Sequence, residues 1–286
     1  MRSQHFPIPF EEFELLPRRL GWKYEYGDGQ AHLSPRDQSV SVALPVEPAT
    51  ATGRRSVQSG GRKLLTTGEP VRLGPAMPDG PPDLVSAYIQ AFRDSIEFCD
   101  WPEERIEEQA RQDLEGFFAG RRGKPLEVSR VAVDDAAGSG ERRALGAALL
   151  LEVAPQTALL GLLFVVPGRR RRGLATALVS EAAEGLSRRG FRRFESRYHL
   201  GNEASRAWHL RFGFVDEPDL FLAESMLHHV RHEIWRRERL GDLTPEERAS
   251  LEAELERWRA QVGELEALAK REGMEAVLPL LRRHQG

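Results

Sequence analysis

The chain has 286 residues, 40% hydrophobic and 30% charged, with a formal net charge of −3. So much apolar material excludes wholesale disorder, and the length points to one main core plus appendages. The near-neutral balance argues against nucleic acid as a partner, because dedicated binders carry a broad basic excess. A lone cysteine, Cys99, excludes an intramolecular disulfide and fits a reducing compartment. With no activating neighbour it reads as packing rather than as a nucleophile. The first twenty residues lack the basic-then-apolar order of a signal peptide, and no apolar run reaches the ~20 residues of a membrane span. The expected location is the cytoplasm, with no membrane partner.

In chain order, "GWKYEYGDGQAHLSP" alternates through Trp22, Tyr24 and Tyr26, turns at Gly-Asp-Gly and alternates again past His32, which predicts a hairpin. "SVSVALPV" can add a third strand to this unit. Residues 46–70, rich in Thr, Gly, Ser and Pro, read as a linker. From Val71 a short strand precedes a helix over "DLVSAYIQAFRDSIEF", with Asp83 as its N-cap, and then a helix over 103–119 ending at Gly120. "LEVSRVAVDD" and "RALGAALLLEVA" read as strands around the turn "DAAGSGER". "TALLGLLFVV" is a third strand, apolar enough to be central and covered on both faces. "GLATALVSEAAEGLSRRG" is a helix, "FRRFESRYHL" a strand, "NEASRAWHLRFG" a helix, and "FVDEPDLFLA" a strand or two.

Beyond Ala223, "ESMLHHVRHEIWRRERL" is a helix, and Thr244-Pro245-Glu246-Glu247 starts another that runs to about Arg271. Its stripe of Leu251, Leu255, Trp258, Val262, Leu265 and Leu268 needs a partner, which makes a homodimer an expectation. A short helix around "MEAVLPLL" ends the chain. The segments are therefore 1–45, a small β-hairpin-rich unit; 46–70, a linker; 71–223, a mixed α/β domain; and 224–286, a helical C-terminal extension.

The stretch "VVPGRRRRGLATALVSEA" sets four arginines between a strand and a helix. Such a turn binds phosphate when the first helical amides and the helix dipole face outward, with Gly173 and the small Ala175 admitting a ligand to the backbone. Arginine forks suit phosphate oxygens. The competing reading is a solvated corner.

Two motifs bear on the choice. Val165-Val166-Pro167 is followed by Arg170-x-x-Gly173-x-Ala175, and Asn202 is followed eleven residues later by Gly213-Phe214. Both, with the order of elements, resemble the GNAT superfamily of acyl-CoA-dependent N-acyltransferases, over about Val71 to Ala223. The resemblance implies a mixed-sheet acetyltransferase fold, acetyl-CoA as co-substrate, and transfer of its acetyl group to a primary amine of a small-molecule or peptide acceptor. It implies that the central strand splays from its neighbour, with Phe164, Val165 and Val166 pairing with the pantetheine arm. The pyrophosphate would then sit on the amides of Arg171, Arg172, Gly173, Leu174, Ala175 and Thr176, with Arg170 at the family's Arg/Gln position.

Acetyl transfer needs a neutral amine, a donor to the oxyanion and a proton for the departing thiolate. Many family members carry a tyrosine seven residues after the motif's Asn; here that residue is His209, either an acid or a helix histidine without catalytic duty. The central strand contains no acid, so Glu195, or Glu97 and Asp100, could serve as base through water or remain solvated surface. Asn202 is explained by helix capping, with cofactor contact as an addition. His228, His229 and His232 lack a sensibly spaced further ligand, so no metal is expected. The alternative to an enzyme is a non-catalytic acyl-CoA-binding sensor or scaffold that uses its C-terminal helices for partners.

Overall fold

A computed structural model describes residues 2–46, 62–64, 70–76, 84–134 and 143–273. In chain order the elements are β1 (Gln4–Pro7), α1 (Phe10–Glu14), β2 (Trp22–Gly27), β3 (Gln30–Pro35), β4 (Ser39–Pro45), β5 (Arg62–Leu64) and β6 (Pro70–Pro75). Next come α2 (Leu84–Phe92), α3 (Glu103–Phe118), β7 (Lys124–Pro125), β8 (Arg130–Asp134), β9 (Arg143–Ala154), β10 (Thr157–Val165), α4 (Leu174–Arg188), β11 (Arg193–His199), α5 (Glu203–Phe212), β12 (Val215–Glu217), α6 (Leu220–Leu240) and α7 (Pro245–Arg271). The Asp83 cap, the 135–142 turn and the final short helix expected from the sequence lie outside the described residues, as does most of the 46–70 segment. Among described residues no helix is long and apolar enough to cross a membrane.

The chain divides into two compact units. Unit 1, essentially Ser41–Tyr198 with Ala204–Val215, is built on a mixed sheet. The strand order of that sheet is β12-β4-β11-β10-β9-β8-β6-β5, with β7 also paired to β9. β4 sits in this sheet and not beside the β2–β3 hairpin, where the sequence reading put it. β9 is the strand with both faces covered: Ala144 through Leu151 are all buried. β10, although as apolar, leaves Leu162, Leu163 and Val165 half-exposed, so its composition does not reflect two covered faces.

On one side of the sheet, Phe164 meets Tyr88 of α2 at 5.9 Å and Phe92 at 6.3 Å between ring centroids. Each such aromatic pair contributes about 0.5–1.5 kcal/mol beyond its buried area. Across the sheet, α4 is fixed to β8 by an ion pair, Arg130 Nε to Glu181 Oε1 at 2.8 Å, with the side chains only 15% and 8% exposed. Gly185 lets α4 approach closely, since a Cβ there would stand 2.6 Å from Val128.

Unit 2, comprising 2–40, 199–203 and 216–286, contains the three-stranded sheet β1-β3-β2. Its tight turn at Asp28 (φ 51°) and Gly29 (φ 74°) is the type that the Gly-Asp-Gly signal predicts, since both central residues need positive φ. The residues after Asp219 continue as helix and not as a second strand: Asp219 caps α6, its carboxylate accepting from the Leu222 amide at 2.8 Å. The stripe on α7 finds its partner within the chain, against α6. Trp258 is buried, whereas Leu268 stays exposed. Thr244 and Glu247 form a complete capping box, and Arg237 reaches Glu247 at 2.8 Å.

Two predictions follow from these pairs. Glu181→Ala strands the Arg130 guanidinium in a buried position and is expected to cost about 3–5 kcal/mol, read as a fall in the urea unfolding midpoint. The bond from Arg237, with the Thr244 amide, holds the Glu247 carboxyl down to about 2. A depressed carboxyl stabilises the fold above its unfolded value of about 4.3 and loses that contribution as pH falls toward 2. Far-UV circular dichroism melts should show Glu247→Gln flattening the loss of stability between about pH 4 and pH 2, with little change in its slope between about pH 8 and pH 5.

Candidate functional site

β10 and β11 run parallel, but their register stops early. It extends from Thr157↔Arg193 to Leu160↔Ser196, while β10 continues to Val165 and β11 to His199. At that level the β9–β10 ladder slips by one residue, from Leu160↔Leu150 to Leu162↔Leu149, leaving Gly161 as the extra residue of a bulge. Bulges bend a strand and sharpen its twist, which turns the second half of β10 away from β11. Gly161 also relieves crowding, since a Cβ there would lie 3.3 Å from Leu151. The sheet opens at this point.

Ladder alternation decides which backbone groups face the opening. The Val166 amide donates to Leu145 of β9 at 3.0 Å, and Val165 aligns with Gly146 and Phe164 with Ala147. In an antiparallel ladder hydrogen-bonded pairs alternate with non-bonded ones, so Phe164 and Val166 spend their groups on β9. Val165 and Leu163 turn theirs toward the side β11 has left. Of the three residues expected from the sequence, only Val165 presents main chain to the opening; Leu163 is the second and was missed, because alternation is visible only once the register is known.

After Val165, Pro167–Arg169 form a single 3₁₀ turn, and Arg171 (φ 59°) and Gly173 (φ 85°) both take left-handed backbone. Left-handed residues one apart bring successive N–H groups to one side, the arrangement that cradles anions. Holding Arg171 there costs of order 1 kcal/mol. Gly173 is the N-cap of α4 and has no side chain to cap with, so the first-turn amides of Leu174, Ala175 and Thr176 remain for an external acceptor. The cradle is main chain.

The arginine side chains divide their duties. Arg170 turns inward: its Nε donates to the Val165 carbonyl at 3.2 Å and Nη2 donates to the Ala91 carbonyl at the end of α2. It ties the strand end to the helix end, and its guanidinium is spent on carbonyls, not on phosphate. Arg169 pairs with Asp134 at 3.4 Å. Beside the turn lies a cleft of about 750 Å³, whose lining includes Arg93, Asp94, Val166, Arg169 and Arg172. Among described residues Asp94 is the only carboxylate lining it, and the sequence reading passed over it in favour of Glu97 and Asp100.

His209 is placed otherwise than the resemblance implies. It is 3% exposed and lies among Tyr198, Trp208 and Phe214. Its Nδ1 is 2.8 Å from the Ser205 carbonyl, which can only accept, so Nδ1 carries the proton. Nε2 then accepts from the buried Ser196 hydroxyl at 2.8 Å. Both nitrogens are engaged, and the ring is core. Glu195 lies on the paired part of β11, opposite Leu159, with Arg193 Nε 2.6 Å from its carboxylate. Asn202 precedes α5 and belongs to unit 2; its amide donates to the His199 carbonyl at 2.8 Å. Tyr88 is no substitute acid: burial and the Asp113 carboxylate, which accepts its hydroxyl hydrogen at 2.8 Å, raise its pKa. Cys99 is half-exposed, its sulfur 3.7 Å from the Asp100 carboxylate. No group of three or more His, Cys, Asp or Glu side chains suited to a metal occurs among described residues.

Trp208 is half-buried at the edge of the cradle. Its indole N–H donates to Thr176 Oγ1 at 3.2 Å and its ring stacks on Phe212 at 5.2 Å. The i, i+4 spacing of Trp208 and Phe212 was the legible signal.

Because His209 is a packed and doubly bonded core residue, His209→Ala is expected to cost about 2–4 kcal/mol through the cavity and the stranded Ser196 hydroxyl. Urea unfolding measures it; an unchanged midpoint would remove the structural role.

With this geometry in hand, comparison places the chain among known proteins. Residues 84–214 match the acetyltransferase (GNAT) family. No curated protein matches the chain. Among solved structures, a GCN5-related N-acetyltransferase from Sphaerobacter thermophilus is similar at 17% identity, over 63% of this chain and 48% of that one, with a TM-score of 0.40. A tandem GNAT protein from the clavulanic acid biosynthesis pathway, without AcCoA, is also similar at 17% identity, over 68% of this chain and 59% of its own, with a TM-score of 0.40. The AAC(6')-Iy complex with a CoA-based bisubstrate analog is similar at 16% identity, over 51% of this chain and 90% of its own, with a TM-score of 0.32. The chain thus spans about half the length of the first two. The match to the acetyltransferase (GNAT) family covers residues 84–214, somewhat under half of the chain.

Proposed function

We propose that this chain transfers an acetyl group from acetyl-CoA to a primary amine on a small-molecule or peptide acceptor, in the cytoplasm. The observation that carries this reading is the coincidence of two features on one strand: β10 loses its neighbour after Leu160, and its end runs directly into an uncapped helix start at Gly173. Amides from Arg171 through Thr176 hold the diphosphate of coenzyme A, where the helix dipole and the fixed main chain favour an anion. The pantetheine arm adds to the exposed edge of β10 as a strand would, meeting the main-chain groups of Leu163 and the N–H of Val165, whose carbonyl already accepts from Arg170. Trp208 closes the side of the cradle next to Thr176.

The reaction is a nucleophilic displacement. The neutral amine nitrogen attacks the thioester carbonyl, a main-chain N–H of β10 donates to the oxyanion, the carbon–sulfur bond breaks, and the proton lost by nitrogen ends on the thiolate sulfur. Asp94, exposed in the cleft, gathers the cationic form of the amine before it loses its proton to water. His209 and Glu195 take no part in this scheme, since the first is sealed in the core and the second is held by Arg193. A second reading, binding of acyl-CoA without turnover, is favoured by the lack of any carboxylate on β10.

Three measurements test this. Coenzyme A at 100 times its dissociation constant should stabilise the protein by ~2.7 kcal/mol, and Gly173→Val, which strains a left-handed position and fills the cradle, should abolish that shift. Thiol release with a panel of amines separates the two readings: release above background with at least one amine supports transfer, and none with any supports binding alone. Asp94→Asn should raise KM for the amine about two- to five-fold and leave kcat within about two-fold.

A further inference from the structure

Unit 2 has its own cavity, of about 580 Å³, and every residue lining it belongs to that unit. Arg18, Arg19 and Arg36 line it with His228, His229 and His232, and no aspartate or glutamate does. Glu14 and Glu233 lie near enough to act on Arg18 and on His229 and His232, but neither lines the cavity. Arg18 lies over the rings of Phe13 and Tyr24, at 4.8 and 4.4 Å. Arg19 lies over Trp22 at 5.9 Å, and its backbone N–H donates to the Tyr24 hydroxyl at 2.9 Å. Arg36 is fixed through its main chain, which donates to the Gly21 carbonyl at 2.8 Å.

Two polar atoms of this set are unsatisfied. Arg36 Nε is buried with no hydrogen-bond partner among described residues, and so is His232 Nδ1. A guanidinium donor left dry is costly, and three positive charges lining one cavity with no carboxylate in its lining repel one another. An anion with several oxygens satisfies both conditions. His232 Nε2 is 3.1 Å from the Glu14 carbonyl, which accepts its proton, so Nδ1 is an acceptor suited to the acidic hydrogen of a hydrogen phosphate. A metal ion is disfavoured because the same three guanidiniums would repel it. The charge count calls for at least two negative charges, and planar forks match phosphate oxygens. The volume leaves room for an organic body beside the Tyr24 ring.

We propose that this cavity binds a phosphoryl-bearing small molecule, with Arg36 and Arg19 as its principal anchors, and that it is a site distinct from the main-chain cradle at Gly173.

The test is calorimetric titration of the full chain with inorganic pyrophosphate, on wild type, Arg36→Gln, Arg19→Gln and Gly173→Val, each first checked by its melting temperature without ligand. The proposal expects saturable binding by wild type, weakening by about ten-fold or more in Arg36→Gln, and in Gly173→Val a retained binding that the added Arg36→Gln change weakens in the same way. Should Arg36→Gln melt early, the same weakening in Arg19→Gln carries the test. No binding by wild type, unchanged affinity in the arginine variants, or a loss confined to Gly173→Val would overturn it. Repeating the titration with a nucleoside diphosphate distinguishes an organic phosphate ligand, which binds more tightly than pyrophosphate, from free phosphate, which does not.

Discussion

Everything at the candidate site depends on one broken pairing. β10 and β11 share a register for only Thr157–Leu160 against Arg193–Ser196, and the bulge at Gly161 bends β10 where that register ends. Had the ladder continued, the main-chain groups of Leu163 and Val165 would be consumed inside the sheet, and β10 would be an ordinary central strand. A single residue without a side chain, in the middle of an apolar run, thereby leaves the second half of β10 without its parallel neighbour. The adjoining cleft and the helix start at Gly173 gain their meaning from this opening.

The four-arginine turn shows how charge and main chain share such a site. Its conspicuous feature in the sequence is basicity, yet the atoms aimed outward for an anion are amides, set by left-handed backbone at Arg171 and Gly173. Arg170 ties the end of β10 to the end of α2 through two carbonyls, and Arg169 is neutralised by Asp134. These two arginines keep the turn in shape. A buried polar triad, His209 with Ser196 and Ser205, performs a similar service from β11 to α5. Fixing Ser196, the last residue of β11 in register with β10, fixes where the opening begins.

Unit 2 follows another logic. Its helical hairpin closes on itself through α6 and α7, with the Thr244 capping box and Arg237 stitching the turn. Aromatic rings in the small sheet and α1 hold arginine side chains by their faces, and no carboxylate lines the cavity that they border. The cation–π contacts offset part of the cost of desolvating the guanidiniums, and they orient the forks without blocking them.

The sequence alone determined what depends on short-range order. The hairpin turn at Asp28-Gly29, the succession of strands and helices from β6 to α5, the helix start after Gly173 and the capping box at Thr244 are all local, since turn chemistry, periodicity and capping act over a few residues. Only the tertiary structure decided the rest. It moved β4 into the larger sheet, covered the α7 stripe with α6, and chose Leu163 with Val165 over Phe164 and Val166. It also sealed His209 in the core and exposed Asp94 to the cleft. Each of these rests on a register or a neighbour distant in the chain, and such contacts leave no trace in the identity of the residues that make them.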